Sequence, residues 1–156
     1  MTVIIDVEDD AWRSLPGLED LAERAIEAGL RHEGESPAEA EVSVLFTSDA
    51  EAAQINERWR KRTYAPNVLS FPAHRARVIP PGTPASLGDI VLAAGVVQRE
   101  AREQEKTMEA HTVHLIVHGL LHLLGRDHED PDQALAMESA ETAILADLGY
   151  AAPYER

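Results

Sequence analysis

Cysteine is absent from this 156-residue chain. Its absence excludes disulfide bonds and thiolate metal sites, and it is typical of proteins of a reducing compartment. Aromatic residues make up only 4% of the chain, so leucine, isoleucine, valine and alanine have to fill most of the core. With 44% hydrophobic residues, a chain of this length can bury such a core, and we expect a single domain over residues 1–156.

Two features of exported and membrane-inserted proteins are also missing. The first ten residues, MTVIIDVEDD, have no basic region and turn acidic at once, unlike a secretory signal peptide. The longest apolar run, residues 112–125, is too short to span a bilayer and contains three histidines. We therefore predict a soluble, cytoplasmic protein without a membrane partner.

Acidic residues outnumber basic ones by 28 to 14 and give a net charge of −14, yet none occurs in residues 58–88. That segment has a charge of +6, and the remainder of the chain has a charge of −20. Its basic residues are Arg58, Arg60, Lys61, Arg62, Arg75 and Arg77. They form either the solvated end of a helix with the loop that follows, or an anion-binding patch on a protein that otherwise repels polyanions.

Apolar spacing predicts strands and helices in a mixed order. Ser48 and Glu51 form a capping box at the start of the second helix, and the proline-rich residues 74–86 are predicted to form a loop. The order β-α-β-α-β-β-α-α-α favours the α+β class, with a small mixed β-sheet packed against helices. Strands are predicted at residues 2–7, 41–46, 67–71 and 87–92, and helices at residues 18–31, 49–60, 94–106, 109–124 and 131–148.

Three histidines fall in the segment HGLLHLLGRDH at the end of the fourth predicted helix. His118 and His122 are four residues apart and share a helix face, and Gly125 can turn the chain so that His128 returns over that face. This spacing favours a metal-binding helix and turn, since three neutral imidazoles hold a metal and leave one position for water. The alternative is three core histidines, each of which would need partners for its buried nitrogens.

The intervals match the metzincin protease motif HExxHxxGxxH, except that Gly119 stands in place of the catalytic glutamate. That glutamate takes a proton from the metal-bound water, so peptide hydrolysis would lack its usual base here. His114, one turn before His118, is either a base or supporting residue of the site or a core residue. Asp127 is either an orienting partner for a ligand imidazole or a solvent-facing turn residue.

Three stretches together resemble the YbeY family of metal-dependent, single-strand-specific endoribonucleases that act in ribosomal RNA maturation. They are HGLLHLLGRDH, NVLSFP at residues 67–72 and LGDIVL at residues 87–92. The resemblance extends over residues 55–150. It implies a zinc-dependent enzyme that acts on single-stranded RNA in 16S ribosomal RNA 3′-end processing and in ribosome quality control. It also implies the ribosome or a ribosomal protein as a partner.

The resemblance assigns roles to individual residues. Its three zinc ligands, for one ion, are His118, His122 and His128. Its functionally important arginine is Arg60, with Asn56 four residues earlier supporting the register. Pro66 stands where family members commonly have threonine. We add His114 as a second catalytic candidate. The substrate-binding candidates are Arg58, Lys61, Arg62 and Ser70.

Other functions stay open at this point. Three histidines also suit Ni²⁺ or Cu²⁺. One alternative is another metallohydrolase, such as a peptidase with an unusual base, and the missing glutamate counts against it. The other is a non-catalytic ribosome-assembly factor with a structural metal. An open coordination position counts against this second alternative, because structural zinc sites usually have four protein ligands.

Overall fold

A four-stranded mixed sheet forms the centre of the fold in the computed structural model, which describes residues 1–73 and 85–154. Its strands lie in the order β1-β2-β4-β3, with β1, β2 and β4 parallel and β3 antiparallel to β4. The strands β1 and β3 therefore form the two edges. The bounds are β1 (Thr2–Val7), β2 (Ala40–Thr47), β3 (Val68–Pro72) and β4 (Ala85–Ala93).

Five α-helices surround the sheet within the described residues. They are α1 (Leu18–His32), α2 (Asp49–Arg60), α3 (Ala94–Glu103), α4 (Met108–Leu123) and α5 (Pro131–Asp147). Every predicted helix and strand is present with bounds that differ by at most three residues, and the α+β class is confirmed. Two short 3-10 helices, Asp10–Ser14 and Pro37–Glu39, escape prediction because a single turn has no apolar period.

The predicted loop at residues 74–86 falls mostly outside the described residues, as do Arg75 and Arg77. The end of that prediction is wrong, because Ala85 and Ser86 belong to β4. Both residues pair with the beginning of β2, which extends the parallel ladder past the apolar stretch from which the strand was predicted.

The predicted alternation of β2 is present in the structure. Val42, Val44 and Phe46 are buried, and the residues between them are partly exposed. Phe46 packs edge-on against Trp12 with 5.0 Å between ring centroids, and Trp12 Nε1 donates a hydrogen bond to Thr47 O at 3.0 Å. The buried core around these two rings is otherwise aliphatic, as the low aromatic content predicts.

At the start of α2, one of the two hydrogen bonds of the predicted capping box is present and the other is replaced. Ser48 Oγ accepts a hydrogen bond from the Glu51 N–H at 3.1 Å, as predicted. The Glu51 carboxylate accepts a hydrogen bond from the Thr47 hydroxyl at 2.6 Å, in place of the predicted bond from the Ser48 N–H. The hydroxyl at the end of β2 therefore competes successfully for the carboxylate.

The helix α4 lies at the centre of the packing. It contacts α1, α3, α5, β3 and β4, and most of its residues are buried. Ser70 Oγ on β3 donates a hydrogen bond to Gly119 O on α4 at 3.0 Å, which fixes the helix against the sheet edge close to the histidines. Neither α4 nor any other helix of residues 1–73 and 85–154 has the length and apolarity that a membrane span needs.

Candidate metal centre

The end of α4 and the turn after it bring the three predicted ligands together. His118 and His122 lie one turn apart on α4, which ends at Leu123. Gly125 follows with a φ of +99°, a conformation that favours glycine. The chain then returns, so that the ring centroid of His128 is 5.8 Å from that of His118 and 5.1 Å from that of His122.

The spacing of the ring nitrogens fits a single metal ion. One ligand nitrogen from each of His118, His122 and His128 lies within 4.8 Å of the other two. The Nε2 atoms of His118 and His122 are 3.1 Å apart. Two ligands at about 2.0–2.1 Å from a zinc ion, at a tetrahedral angle, are about 3.3 Å apart. A set of three imidazoles also fits a zinc site with one open position.

The electrostatics around His122 favour its neutral form. Burial lowers the pKa of His122, and the neighbouring charges of His118 and His128 lower it further. A neutral imidazole has the free lone pair that a metal ligand requires. The surroundings of His122 therefore favour metal binding at neutral pH.

A buried carboxylate that sequence reasoning misses lies beneath the histidines. Glu141 on α5 is fully buried, and its Oε1 accepts a hydrogen bond from His118 Nδ1 at 2.5 Å. Burial raises the pKa of the Glu141 carboxyl, but hydrogen bonds with His114, His118 and Tyr154 outweigh burial and lower that pKa to about 2. The available signal in the sequence is a glutamate that interrupts the buried apolar face of α5.

His114 contacts the same carboxylate. Its Nε2 lies 3.2 Å from Glu141 Oε2, and the residue is only 8% exposed. The Tyr154 hydroxyl donates a hydrogen bond to that oxygen too. His114 lines a pocket of about 580 Å³ together with Lys106 and Tyr154. This arrangement favours the supporting role among the alternatives for His114, and its catalytic role stays a prediction.

The turn that leads to His128 is held by its own side chains and by α1. Asp127 Oδ1 accepts a hydrogen bond from the His128 N–H at 2.8 Å. This bond favours the second alternative for Asp127, a solvent-facing turn residue, and Glu141 is the carboxylate that holds an imidazole. Arg126 donates hydrogen bonds from Nε and from Nη2 to the carboxylate of Glu33. The bond from Nη2 to Glu33 Oε2 is 3.0 Å long, and the pair connects the turn to the end of α1.

Gly119, which stands in the place of the protease glutamate, packs closely against the sheet. A Cβ atom at this position would lie 3.0 Å from Ile90 Cγ2 and 3.1 Å from Ser70 Oγ. A side chain would therefore fit here only if Ile90 or Ser70 moved by a few tenths of an ångström. This packing counts against the peptidase alternative.

The histidines lie along a cleft of about 940 Å³ that also reaches the end of α2. The three histidines form one side of it, which we call the histidine wall. The end of α2, the segment after it and β3 also line the cleft, and we call these residues the arginine wall. The residues of the arginine wall include Arg60, Arg62, Tyr64 and Ser70.

Arg60 is the best-anchored cation of the arginine wall. Its Nη2 donates a hydrogen bond to Ser70 O at 2.5 Å, and its guanidinium carbon lies 5.2 Å from the ring centroid of Phe71. The side chain is nevertheless exposed. Arg60 can therefore meet an anion in the cleft while the β3 backbone and an aromatic face set its direction.

Two predicted substrate-binding residues lie away from this cleft. Arg58 and Lys61 line a separate surface depression, and the Arg58 guanidinium carbon lies 5.4 Å from the ring centroid of Trp59. Two residues along an α-helix correspond to a rotation of about 200° around its axis, so Arg58 and Arg60 project from nearly opposite faces of α2. Among the described basic residues of the +6 segment, the structure thus brings Arg60 and Arg62 to the cleft.

Tyr64 is a cleft residue that sequence reasoning misses. It lines the cleft and is 57% exposed. Asn56 Nδ2 donates a hydrogen bond to Tyr64 O at 2.9 Å and so orders the segment after α2. The signal available in the sequence is an aromatic residue next to a run of basic residues, which is typical of nucleic-acid surfaces.

Known proteins are similar to this chain in sequence and in fold. A family model described as Endoribonuclease YbeY matches residues 5–149. The chain belongs to the YbeY family. An Endoribonuclease YbeY of Azorhizobium caulinodans is 45% identical over 156 residues, which cover 99% of this chain and 96% of that relative. The Endoribonuclease YbeY of Erythrobacter litoralis is 48% identical over 162 residues, which cover 99% of this chain and 98% of the relative.

The predicted YbeY resemblance is thereby confirmed, and it extends further toward the beginning of the chain than residue 55. A solution structure of a Thermotoga maritima protein superimposes with a TM-score of 0.56, covering 99% of this chain and 100% of that one. The two sequences are 23% identical, so this likeness concerns the fold. It agrees with the architecture described above.

Proposed function

We propose that this chain is a metal-dependent endoribonuclease that hydrolyses phosphodiester bonds in single-stranded RNA. The observation that supports it best is one cleft with three imidazoles, spaced as metal ligands, on one wall and Arg60 on the other. Membership of the YbeY family supports the same reaction class, because the relatives are named as endoribonucleases.

His118, His122 and His128 would hold the ion. A zinc ion with three imidazole ligands lowers the pKa of a water molecule in its open position to about 7 and polarises a phosphoryl oxygen. Arg60 can donate two N–H groups to a phosphate and stabilise the negative charge that builds on its oxygens. Its bond to Ser70 O orients the guanidinium before the substrate arrives.

The residues of the arginine wall support the proposal that the substrate is single-stranded RNA. The exposed ring of Tyr64 offers a stacking surface that an unpaired base can reach and a base inside a duplex cannot. Arg60 and Arg62 place two positive charges on this wall, on a chain of net charge −14. The acidic remainder would reduce non-specific binding to other polyanions.

Finer parts of the proposal rest on the family resemblance. They are zinc as the resident ion, 16S ribosomal RNA 3′-end processing, ribosome quality control, a ribosomal protein partner and a cytoplasmic location. A single domain over residues 1–156 is supported by the continuous hydrophobic core of the described residues. Metal analysis of protein isolated from its own host would test the identity of the ion, because three imidazoles also accept Ni²⁺ and Cu²⁺.

Cleavage of a labelled single-stranded RNA, with the matching duplex as a second substrate, tests the proposal. Wild type and His122→Ala are purified side by side and assayed with Zn²⁺. We expect the wild type to cleave the single strand and the variant to leave it intact. Equal cleavage by both proteins would contradict the proposal and indicate another site or a contaminant. No cleavage by either, even with ribosomal subunits added, would favour the assembly-factor alternative.

A further inference from the structure

Glu141 is a buried anion whose described hydrogen-bond partners have no permanent charge. Its side chain is fully buried, and its hydrogen-bond partners are His114, His118 and Tyr154. Within residues 1–73 and 85–154, its ion pairs are with histidines, and none is with lysine or arginine. A buried carboxylate is costly without a compensating cation. Lys106 interacts with the charge of Glu141 without an ion pair between them, and a metal ion on His118 would supply a cation bound to one of the hydrogen-bond partners of Glu141.

The hydrogen bond to Glu141 also decides which nitrogen of His118 faces the site. An ionised carboxylate can only accept hydrogen bonds, so Nδ1 of His118 has to be the protonated nitrogen. In the neutral ring Nε2 then has the free lone pair, and Nε2 lies 3.1 Å from His122 Nε2. The tautomer that binds a metal through Nε2 is therefore selected by the protein itself.

The second oxygen of Glu141 is held by the segment that follows α5. The Tyr154 hydroxyl donates to Oε2, and His114 Nε2 lies 3.2 Å from the same atom. The Tyr154 ring packs edge-on against His114 with 5.5 Å between centroids, and Lys106 Nζ donates to Pro153 O at 3.2 Å. With Oε2 occupied in this way, Oε1 is left for the ligand histidine.

We infer that Glu141 is a positioning residue of the metal site, and that Tyr154 and His114 hold its carboxylate from the far side. The inference rests on the proposed metal site. It gives α5 and the segment after it a part in metal binding, although neither contains one of the three predicted ligands.

Metal affinity of the full, metal-free chain tests this inference. Co²⁺ binding is measured by competition with a chromophoric chelator and by the visible absorption of the bound ion. The variants are Glu141→Gln, Glu141→Leu and Tyr154→Phe. The chain offers a matched control, because the Tyr150 hydroxyl donates to Glu109 at 2.7 Å near the opposite end of α4. Glu109→Gln and Tyr150→Phe remove the same groups from that pair.

We expect Glu141→Gln to weaken Co²⁺ binding about 10- to 100-fold. Tyr154→Phe should weaken it by a smaller factor, and both controls should bind like the wild type. Thermal unfolding of the metal-free proteins identifies the variants that fold, and Glu141→Gln keeps the shape of glutamate if Glu141→Leu does not fold. A folded Glu141→Gln with wild-type affinity would overturn the positioning role alone. A wild type that binds no Co²⁺ would overturn the metal site on which it rests.

Nitrogen NMR of the His118 ring gives a second readout that needs no metal. In the metal-free wild type, at a pH where the imidazoles are neutral, we expect the proton on Nδ1. In Glu141→Leu the carboxylate is gone, so we expect a mixture of the two tautomers. A wild-type His118 protonated on Nε2 would overturn the inference, whatever the Co²⁺ affinities.

Discussion

The two walls of the cleft are held in place by different kinds of contact. On the histidine wall, His118 is bonded to a fully buried carboxylate, and the turn before His128 is fastened by the pair of Arg126 and Glu33. On the arginine wall, Arg60 is exposed, and its described anchors are a backbone carbonyl and an aromatic face. The difference suits the two tasks, since metal ligands have to lie within about 0.2 Å of fixed distances, whereas side chains that grip a phosphate can adjust.

Removing the guanidinium of Arg60 should distinguish the roles of the two walls most clearly. We expect Arg60→Ala to lower the rate of RNA cleavage about 10²- to 10³-fold, because charge developing on the phosphate loses a donor. Metal affinity should stay at the wild-type value, since Arg60 touches none of the histidines. Cleavage assays and Co²⁺ titration of the same preparations measure both.

Arg58→Ala is the matched control for Arg60→Ala. It removes the same charge from the same helix, but Arg58 faces the separate depression beside Trp59. We expect its cleavage rate to stay near that of the wild type. Equal losses in the two variants would mean that net charge matters and the direction of Arg60 does not.

A side chain at residue 119, where α4 packs closely on the sheet, should disturb the helix that carries His118 and His122. A methyl group at residue 119 would press on Ile90 and Ser70, so we expect Gly119→Ala to lower the free energy of unfolding by about 1–3 kcal/mol. Urea denaturation of the metal-free protein measures this change. Wild-type stability would show that Ile90 and Ser70 give way without cost, and the close packing would then not count against a side chain at residue 119.

Tyr64 tests whether the arginine wall reads bases as well as phosphates. Stacking of one base on an aromatic ring contributes about 1–3 kcal/mol, so we expect Tyr64→Ala to weaken single-stranded RNA binding by that amount. Tyr64→Phe keeps the ring and should bind like the wild type. Fluorescence anisotropy with metal-free protein measures binding without cleavage. Equal weakening by both variants would assign the effect to the hydroxyl group instead.

The pair of Glu33 and Arg126 should add a small, pH-dependent stability to the histidine wall. The hydrogen bond from Arg126, opposed by burial, lowers the pKa of Glu33 below its ordinary value of 4.5. The contribution is therefore complete above pH 4.5 and is lost as the pH falls through the lowered pKa. We expect Glu33→Gln to lower the free energy of unfolding by about 1 kcal/mol at neutral pH. The effect is small because solvent screens the partly exposed arginine.

Urea denaturation at several pH values measures that contribution. The difference between wild type and Glu33→Gln should shrink in acid. Glu27→Gln is the control, because Glu27 forms an exposed pair with Arg31 on the same helix and should cost less. A difference for Glu33→Gln that does not change with pH would contradict the assigned role of the carboxylate charge.

The histidine wall could be predicted in outline because its ligands are local in sequence. His118, His122 and His128 fall within one short segment, so the helical period and one glycine turn are sufficient to bring them together. The same helical period explains why Arg58 and Arg60 lie on different faces of α2. A cluster of basic residues in the sequence does not by itself reveal that separation. Local patterns also predicted every α-helix and strand of the described residues to within three residues.

The supporting residues could not be predicted, because they depend on how distant elements pack. Glu141 reaches His118 only through the packing of α5 on α4, and Tyr154 reaches Glu141 only because the following segment folds back. Asp127, which is adjacent to His128, was the local candidate for an imidazole partner, but its carboxylate bonds to the backbone. A glutamate on an apolar helix face was the one sequence signal of the real partner.

The proposed metal site requires that all three histidines bind one metal ion. X-ray absorption at the zinc edge, on the zinc-loaded wild type and on His128→Ala, counts the imidazole ligands directly. We predict three imidazole nitrogens at about 2.0–2.1 Å in the wild type and two in the variant. An imidazole count that is the same in both proteins would contradict the account, because His128 would then not be a ligand.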